Sequence, residues 1–253
     1  AGLRASPPRP PPTDEDPMPN LTVTAASPSP AFGATFDAYV ALPPGGRGPG
    51  LVLIQEIFGV NQVMRDLADG YAAQGYVVAC PDIFWRQQPG IQITDQTDAE
   101  WAQAFSLFKG FDFALGLSDL KQTLANLRGH AACTGKVGTV GYCLGGNLAY
   151  QMACQSDADA SVSYYGVGLD GLLDQAPTLA HPLLMHIAEK DAFVPPAAQA
   201  KIKAALVPHK YAQLHVYEGE DHAFARVGGK HYSQKAATAA NATTAAFFKA
   251  YLG

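Results

Sequence analysis

The sequence predicts an α/β protein in which strands and helices alternate to form one mostly parallel, doubly wound sheet. Continuous apolar runs, such as residues 50–54, are typical of strands that are covered on both faces. Segments with helical spacing of apolar residues lie between these runs, and this alternation favours parallel strands joined by helices. A chain of 253 residues with 48% hydrophobic and 15% charged residues can fill one large core. No internal repeat is present, so we expect a single domain over residues 20–253.

The first 19 residues differ in composition from the rest of the chain. They contain repeated prolines and then acids at residues 14–16, with almost no apolar surface to bury. Such a segment cannot offset the entropy of ordering, so we predict a disordered leader. Met18 directly precedes the first strand-like run. We therefore interpret Met18 as the natural start and residues 1–17 as an artificial addition.

The remaining elements follow from the spacing of apolar residues. We expect strands at residues 21–25, 35–42, 50–54, 76–80, 136–140, 161–165, 183–188 and 213–217. We expect helices at residues 63–74, 99–128, 147–155, 197–206 and 232–252. The segment 99–128 is either one long helix or two in succession, because Gly110 and Gly116 weaken it. In such a sheet, functional residues are expected at the carboxyl ends of the strands.

The charge and cysteine content exclude several classes of function. A net charge of −5 without a basic cluster argues against a nucleic-acid surface. No apolar run approaches the roughly 20 residues that a transmembrane helix needs. The four cysteines (Cys80, Cys133, Cys143 and Cys154) show neither metal-site spacing nor the density of a disulfide scaffold. We therefore expect a cytoplasmic protein without a metal or a membrane partner, and we assume a monomer although no sequence feature decides the oligomeric state.

Residues 141–146, Gly-Tyr-Cys-Leu-Gly-Gly, form the motif that first indicates chemistry. They lie between a predicted strand and a predicted helix, which is the arrangement of a nucleophile elbow with cysteine in place of serine. Flanking glycines are needed there because the turn is tight and the nucleophile takes a strained backbone conformation. Cys143 is thus the candidate nucleophile, and the amide of Leu144 can stabilise an oxyanion. The alternative is a buried core cysteine beside a glycine-rich turn.

A cysteine nucleophile needs a base, and the base needs a carboxylate that orients it. In this kind of fold the expected order along the chain is nucleophile, acid and histidine, each after its own strand. Asp191 follows the predicted strand at residues 183–188, and His222 follows the one at residues 213–217. The alternatives are a surface histidine for His222 and a helix N-cap for Asp191.

Glu56 is unusual because it directly follows the apolar strand at residues 50–54. A carboxylate at the end of a central strand is costly unless it has a partner, so Glu56 is a candidate site residue. A solvated strand end is the alternative. The next residue, Ile57, follows the strand that normally supplies the second oxyanion-hole amide, and we assign it that role.

Six sequence blocks in one order carry a family resemblance. They are residues 55–61 (Gln-Glu-Ile-Phe-Gly-Val-Asn), residues 80–83 (Cys-Pro-Asp-Ile) with Arg86, residues 138–146, residues 164–168 (Tyr-Tyr-Gly-Val-Gly), residues 191–195 (Asp-Ala-Phe-Val-Pro) and residues 222–226 (His-Ala-Phe-Ala-Arg). Together they resemble the dienelactone hydrolases, or carboxymethylenebutenolidases, over residues 21–253. The resemblance implies an α/β-hydrolase fold and no cofactor.

The resemblance also implies roles for individual residues. It implies a triad of Cys143, Asp191 and His222, with Glu56 taking part in activation of the thiol. Arg86 and Arg226 would hold the carboxylate of a small anionic lactone, with Arg226 also pairing with Glu56. The remaining implied substrate contacts are Tyr165 and Phe58. One departure is the small Ala192, where some relatives carry a bulkier residue, and it affects pocket shape rather than the triad.

The expected reaction is hydrolysis of dienelactone, 4-carboxymethylenebut-2-en-4-olide, to maleylacetate through a cysteine acyl-enzyme, a step of (chloro)catechol degradation. A thiol has a pKa of about 8.5, far below that of an alcohol, so a thiolate is expelled readily from a tetrahedral intermediate. Cysteine therefore favours substrates with a good leaving group, such as enol lactones. The alternatives are hydrolysis of another small lactone, ester or thioester, and a thiol redox sensor or binding protein. A sensor would not need Asp191 and His222.

Overall fold

The computed structural model describes residues 20–253, so the predicted leader and start site lie outside the described residues. One sheet forms the centre of the molecule. Its strands are β1 (Asn20–Ser29), β2 (Gly33–Ala41), β3 (Gly48–Ile54), β4 (Val77–Pro81), β5 (Cys133–Tyr142), β6 (Ser161–Tyr164), β7 (Leu183–Ala188) and β8 (Ala212–Tyr217).

The strand order across the sheet is β1-β2-β4-β3-β5-β6-β7-β8. Strands β3 to β8 pair in parallel, whereas β1 and β2 form an antiparallel hairpin that joins the sheet through β4. The order reverses around β3, so the crossovers on the two sides of this strand place helices on opposite faces of the sheet. The prediction of a mostly parallel, doubly wound sheet in a single domain is confirmed.

Six α-helices cover the sheet in the described part of the chain. They are α1 (Gln62–Ala73), α2 (Asp98–Lys109), α3 (Phe113–Gly129), α4 (Leu144–Gln155), α5 (Pro196–Leu206) and α6 (Gln234–Leu252). Two short 3₁₀ segments, Leu169–Gly171 and Leu173–Thr178, precede β7. None of the described helices is long and apolar enough to cross a membrane.

Strand β3 shows why the central strands lack polar alternation. Leu51 and Leu53 pack on one face with α1 and α6, whereas Val52 and Ile54 pack on the other with α3 and α4. Successive side chains of a strand point to opposite faces, so a strand with helices on both faces needs apolar residues throughout. The same cause makes every residue of β4 buried.

The segment predicted as one helix or two is two helices, α2 and α3. The break lies at Gly110, and the side chains of Thr97 and Asp112 each accept a backbone hydrogen bond at the start of their helix. Gly116 does not break α3. A Cβ at this position would overlap the ring of Phe111, so the glycine lets that ring pack against the helix.

Candidate active site

The carboxyl ends of β5, β7 and β8 bring together the three residues that the elbow pattern and the strand ends indicated. Cys143 directly follows β5, Asp191 lies in the loop after β7, and His222 lies in the loop after β8. The His222 Nδ1 atom lies 2.8 Å from Asp191 Oδ2, and Cys143 and His222 line the same cavity. Residues that are far apart in the sequence therefore lie close together, because parallel strands end at one edge of the sheet.

Cys143 occupies a strained elbow. Its backbone has φ 55° and ψ −113°, a conformation that residues other than glycine rarely adopt. A Cβ at Gly141 would overlap the Gly145 carbonyl, and one at Gly145 would overlap the Ile54 carbonyl. The glycines are therefore required because the start of α4 packs directly on the strand ends.

The same packing brings the two expected oxyanion donors to one place. Leu144 is the first residue of α4, and the amides at a helix N-terminus have no acceptor within the helix. Gly145 of α4 lies against the carbonyls of Ile54 and Gln55, where β3 ends and the turn toward Ile57 begins. Ile57 lines the cavity together with Cys143. The amides of Leu144 and Ile57 thus belong to neighbouring turns at the thiol.

Asp191 is buried and bonded on both oxygens. It is 3% exposed, its Oδ1 accepts the Phe193 amide at 2.8 Å, and its Oδ2 faces His222. The helix-cap alternative fails because Pro195, which contributes no side-chain hydrogen bond, caps α5. The surface alternative for His222 fails as well, because this side chain is buried at 9% exposure.

The charge of His222 depends on its two neighbours. Burial alone would lower its pKa, but attraction to Cys143 and the hydrogen bond to Asp191 outweigh burial and raise the pKa to about 10. The imidazole is consequently protonated at neutral pH and donates from Nδ1 to Asp191.

We expect the pKa of His222 to fall well below its native value in Cys143→Ala. The physical reason is that the variant keeps the burial of His222 but loses the attraction to sulfur. NMR titration of the His222 ring in the two proteins measures the change. Equal pKa values would show that Asp191 alone holds the proton.

Glu56 and Arg226 form a buried pair beside the triad. Glu56 Oε2 lies 3.2 Å from Arg226 Nη1, and Arg226 Nη2 lies 3.3 Å from Asp95 Oδ2. Glu56 is only 4% exposed, which excludes the solvated strand end, and its Oε1 has no hydrogen-bond partner among the described residues. Arg226 also lies over the ring of Phe58, with its Cζ 5.0 Å from the centroid. Phe58 and Arg226 both line the cavity, as a substrate-binding role requires.

Tyr165 is not among the residues that line the cavity, so the expected substrate contact stays a prediction. Its side chain is 2% exposed and packs edge-on to His222, with ring centroids 5.2 Å apart. Burial raises the pKa of Tyr165, and the charge of Glu56 raises it further, so the phenol is neutral. Tyr165 directly follows the strand that ends at Tyr164, and its ring lies in the core. There the ring packs against the imidazole of His222.

The structure does not bring Arg86 to the cavity wall either, and its expected role stays a prediction. Its guanidinium makes a bidentate pair with Asp119 on α3, with distances of 2.8 Å from Nε and 2.7 Å from Nη2. Nη2 also donates to the Ser27 carbonyl, and the plane lies over the Trp85 ring. Asp119 is completely buried, so Arg86 neutralises a core carboxylate and lines no part of the cavity. The position of Arg86 after β4 was compatible with a side chain that faces the cavity and with one that faces the core.

Arg86→Ala is expected to lower the free energy of unfolding by about 3–5 kcal/mol, because it leaves the Asp119 charge buried without a partner. The KM of the enzyme for an anionic substrate is expected to stay within about twofold. Urea denaturation and steady-state kinetics measure the two effects. Lys201→Ala, which removes an exposed pair with Asp170, is the control and is expected to cost less than about 1 kcal/mol. A raised KM with native stability would restore the binding role.

The cavity at the triad has a volume of about 610 Å³. Aromatic and aliphatic side chains form most of its wall, and the polar lining includes Asn147, Gln151, His222 and Arg226. Sequence reasoning missed the part contributed by α2 and the start of α3, namely Trp101, Phe105, Phe108 and Phe113, and it also missed Phe193 and Asp95. The spacing 101, 105, 108 is that of an apolar helix face, but a helix face toward a cavity and one toward the core give the same pattern.

The relation of the chain to known proteins is decided by a family comparison. The sequence profile of the dienelactone hydrolase family matches residues 36–252, which is most of the chain. The chain belongs to the dienelactone hydrolase family. It is accordingly a hydrolase of the carboxylic-ester class, and the predicted α/β-hydrolase fold is confirmed.

Two sequence relatives span nearly the whole dienelactone hydrolase domain. A protein of Azospirillum brasilense, named as a provisional carboxymethylenebutenolidase, is 55% identical over 226 residues, covering 87% of this chain and 95% of the relative. A carboxymethylenebutenolidase of Pseudomonas putida is 40% identical over 209 residues, covering 83% and 89%.

Solved structures show the same fold. A provisional dienelactone hydrolase from Klebsiella pneumoniae superposes with a TM-score of 0.77 at 27% identity, covering 92% of this chain and 100% of that one. A dienelactone hydrolase from Anabaena variabilis gives a TM-score of 0.67 at 18% identity, covering 94% and 99%. At the lower identity the likeness concerns the fold alone.

Proposed function

We propose that this protein hydrolyses dienelactone, 4-carboxymethylenebut-2-en-4-olide, to maleylacetate through a Cys143 acyl-enzyme. The observation that carries the proposal is the shared wall of one cavity. Cys143 at its strained elbow, the Asp191-bonded His222 and the cationic Arg226 all line or border the same space. The relatives named as carboxymethylenebutenolidases support this substrate.

Acylation requires that Cys143 has given up its thiol proton. In the reactive form that proton resides on His222, whose protonated form is favoured beside Cys143 and Asp191. Glu56, whose Oε1 has no hydrogen-bond partner among the described residues, takes part in this activation. The thiolate then attacks the lactone carbonyl, and the amides of Leu144 and Ile57 stabilise the oxyanion. Each such donor contributes about 3–4 kcal/mol in a well-measured protease.

Collapse of the tetrahedral intermediate breaks the ring C–O bond and leaves a thioester. The imidazolium of His222 gives its proton to the departing enolate, which becomes the ketone of the product. Once sulfur is acylated it carries no charge, so the attraction to Cys143 no longer raises the pKa of His222, which has given its proton to the leaving group. The neutral imidazole can therefore take a proton from water, which attacks the thioester and releases the dicarboxylate and the thiolate.

Arg226 is the group that we assign to the substrate carboxylate. It lies on the cavity wall and is held by Glu56, Asp95 and the face of Phe58. A guanidinium fixed on several sides keeps one orientation, so it can position an anion with little loss of side-chain entropy. Recognition of the carboxylate then directs the lactone carbonyl toward Cys143.

The decisive test compares substrates that differ in their leaving group. We expect kcat/KM for dienelactone to exceed that for a simple ethyl ester by about 10³-fold or more, because the thiolate leaves in preference to an alkoxide, whereas an enolate is a good enough leaving group to compete with the thiolate. Product identity is checked as maleylacetate. Comparable values for the two substrates, or no turnover of dienelactone, would reject the proposal.

A second test concerns the anion. Arg226→Met is expected to raise KM for dienelactone more than it lowers kcat, and to affect an uncharged enol ester much less. Equal changes in KM for the two substrates would mean that Arg226 only positions Glu56 and does not bind the substrate carboxylate.

The wider setting is part of the same proposal. A dienelactone hydrolase acts in (chloro)catechol degradation, and a reducing, cytoplasmic compartment would keep Cys143 as a thiol. The four cysteines are all free, as this requires. Alkylation of Cys143 by iodoacetamide, with protection by the lactone, distinguishes this enzyme from a thiol sensor, which would bind no lactone.

A further inference from the structure

The cavity is larger and more apolar than a small carboxylated lactone requires. Cavities of about 300–1,000 Å³ typically hold drug-sized ligands, and this one measures about 610 Å³. Dienelactone is a single five-membered ring with a short carboxylated side chain. We propose that the preferred substrate carries, besides the carboxylate and the enol ester, an aryl group or an apolar group of similar size. This inference rests on the proposed function and specifies its substrate class.

An aromatic wall, formed by Phe58, Trp101, Phe105, Phe108 and Phe113, is the main support. Trp101, Phe105 and Phe108 lie on one face of α2 and all line the cavity. Trp101 contacts Phe58 edge-on at 5.1 Å and Phe105 at 5.4 Å between ring centroids, and Phe113 contacts Phe108 at 6.3 Å. The rings therefore hold one another in place and offer a ready surface for another ring.

The wall is exposed where a ligand would cover it. Phe105 is 45% exposed, and Phe193, across the cavity, is 50% exposed. Large apolar side chains gathered at a cavity gain free energy when a ligand removes them from water. Phe193 also packs edge-on to His222, with centroids 4.8 Å apart, so the apolar surface of the cavity reaches this residue of the candidate triad.

The charges of the wall limit the rest of the substrate. Arg226 is the only arginine or lysine among the described residues that line the cavity; Glu56 and Asp95 pair with its Nη1 and Nη2, and its Nε has no hydrogen-bond partner in the described part of the chain. Asn147 and Gln151 are bonded to each other at 2.7 Å, and Asn147 also donates to the Val167 carbonyl. One carboxylate therefore has a partner, whereas a second charge would be desolvated against aromatic rings. A substrate with one anion and one apolar group fits this pattern.

The test compares dienelactone with its phenyl-substituted ring analogue in the native protein. We expect kcat/KM for the phenyl analogue to be about tenfold higher, because the added ring is buried on the aromatic wall. An equal or lower value for the phenyl analogue overturns the inference but leaves the proposed function intact.

Phe105→Ala tests whether the aromatic wall causes the preference. We expect the ratio of the two kcat/KM values to fall by about fivefold or more. Phe32→Ala removes another exposed phenylalanine, which borders a separate cleft near β2, and is expected to leave the ratio unchanged. An unchanged ratio in Phe105→Ala, or an equal fall in both variants, contradicts the assignment.

A binding measurement separates failure of the inference from failure of the proposed function. Cinnamate and crotonate share an unsaturated carboxylate but differ in a phenyl or methyl group. We expect cinnamate to protect Cys143 from iodoacetamide at about a tenfold lower concentration than crotonate. This result stands even if neither lactone is turned over, in which case the proposed function fails alone. Equal protection by the two acids rejects the aryl subsite.

Discussion

Replacing Cys143 by alanine is expected to lower kcat for dienelactone by about 10⁴–10⁶-fold, the range seen when the nucleophile of a hydrolase triad is removed. The variant keeps the cavity and Arg226 but cannot form the thioester. The fold should persist, since Cys143 lies on the cavity wall and alanine has the smaller side chain. Steady-state kinetics and a search for the acyl-enzyme by mass spectrometry measure the effect.

Cys154→Ala is the matched control for this experiment. Cys154 is a buried cysteine near the end of α4, the helix that begins directly after Cys143, and it has no part in the cavity. We expect native kcat/KM for this variant. If Cys143→Ala retained more than about a hundredth of the native kcat, the proposed acyl-enzyme would be wrong.

Asp191→Asn is expected to lower kcat by about 10³–10⁴-fold, as the corresponding change does in a serine protease triad. The Phe193 amide donates to Asp191 Oδ1, so the asparagine carbonyl must stay on that side. Its NH₂ group then faces His222 Nδ1, where it requires an acceptor. His222 would carry its proton on Nε2 and could not receive one from the thiol. The pKa of His222 is also expected to fall.

Asp157→Asn serves as the control, because Asp157 is exposed in the turn after α4, away from the carboxyl ends of the strands. We expect native kinetics for it. Urea denaturation of Asp191→Asn shows whether the loss of activity comes from misfolding. A kcat within tenfold of native, in a folded variant, would mean that Asp191 does not set the tautomer of His222.

The sequence was sufficient to place the triad candidates because their positions follow from topology. Asp191 and His222 were chosen among many acids and seven histidines because each follows a strand in the expected order. Parallel strands end at one edge, so this rule needs no side-chain detail. His186, inside β7, illustrates the other outcome: burial lowers its pKa to about 3, and it bonds to Thr244 and Tyr217 in the core.

Side-chain direction was the property that the sequence pattern left open. Arg86 and Tyr165 both follow strand ends, as the triad does, yet Arg86 pairs with Asp119 and Tyr165 is buried behind His222. Both directions satisfy the local pattern. For Arg86 the direction depends on Asp119, which lies 33 residues away on α3 and needs a cation because it is completely buried.

The sequence by itself determined the order of strands and helices, the elbow with its required glycines, and the candidate triad residues that follow the strand ends. These features depend on local periodicity and on backbone sterics, which a linear pattern records. Only the tertiary structure decided which arginine faces the cavity, that α2 and the start of α3 contribute an aromatic wall, and how large the cavity is. Those properties depend on contacts between distant residues, and the free energy of burial fixes them only when the whole core is packed.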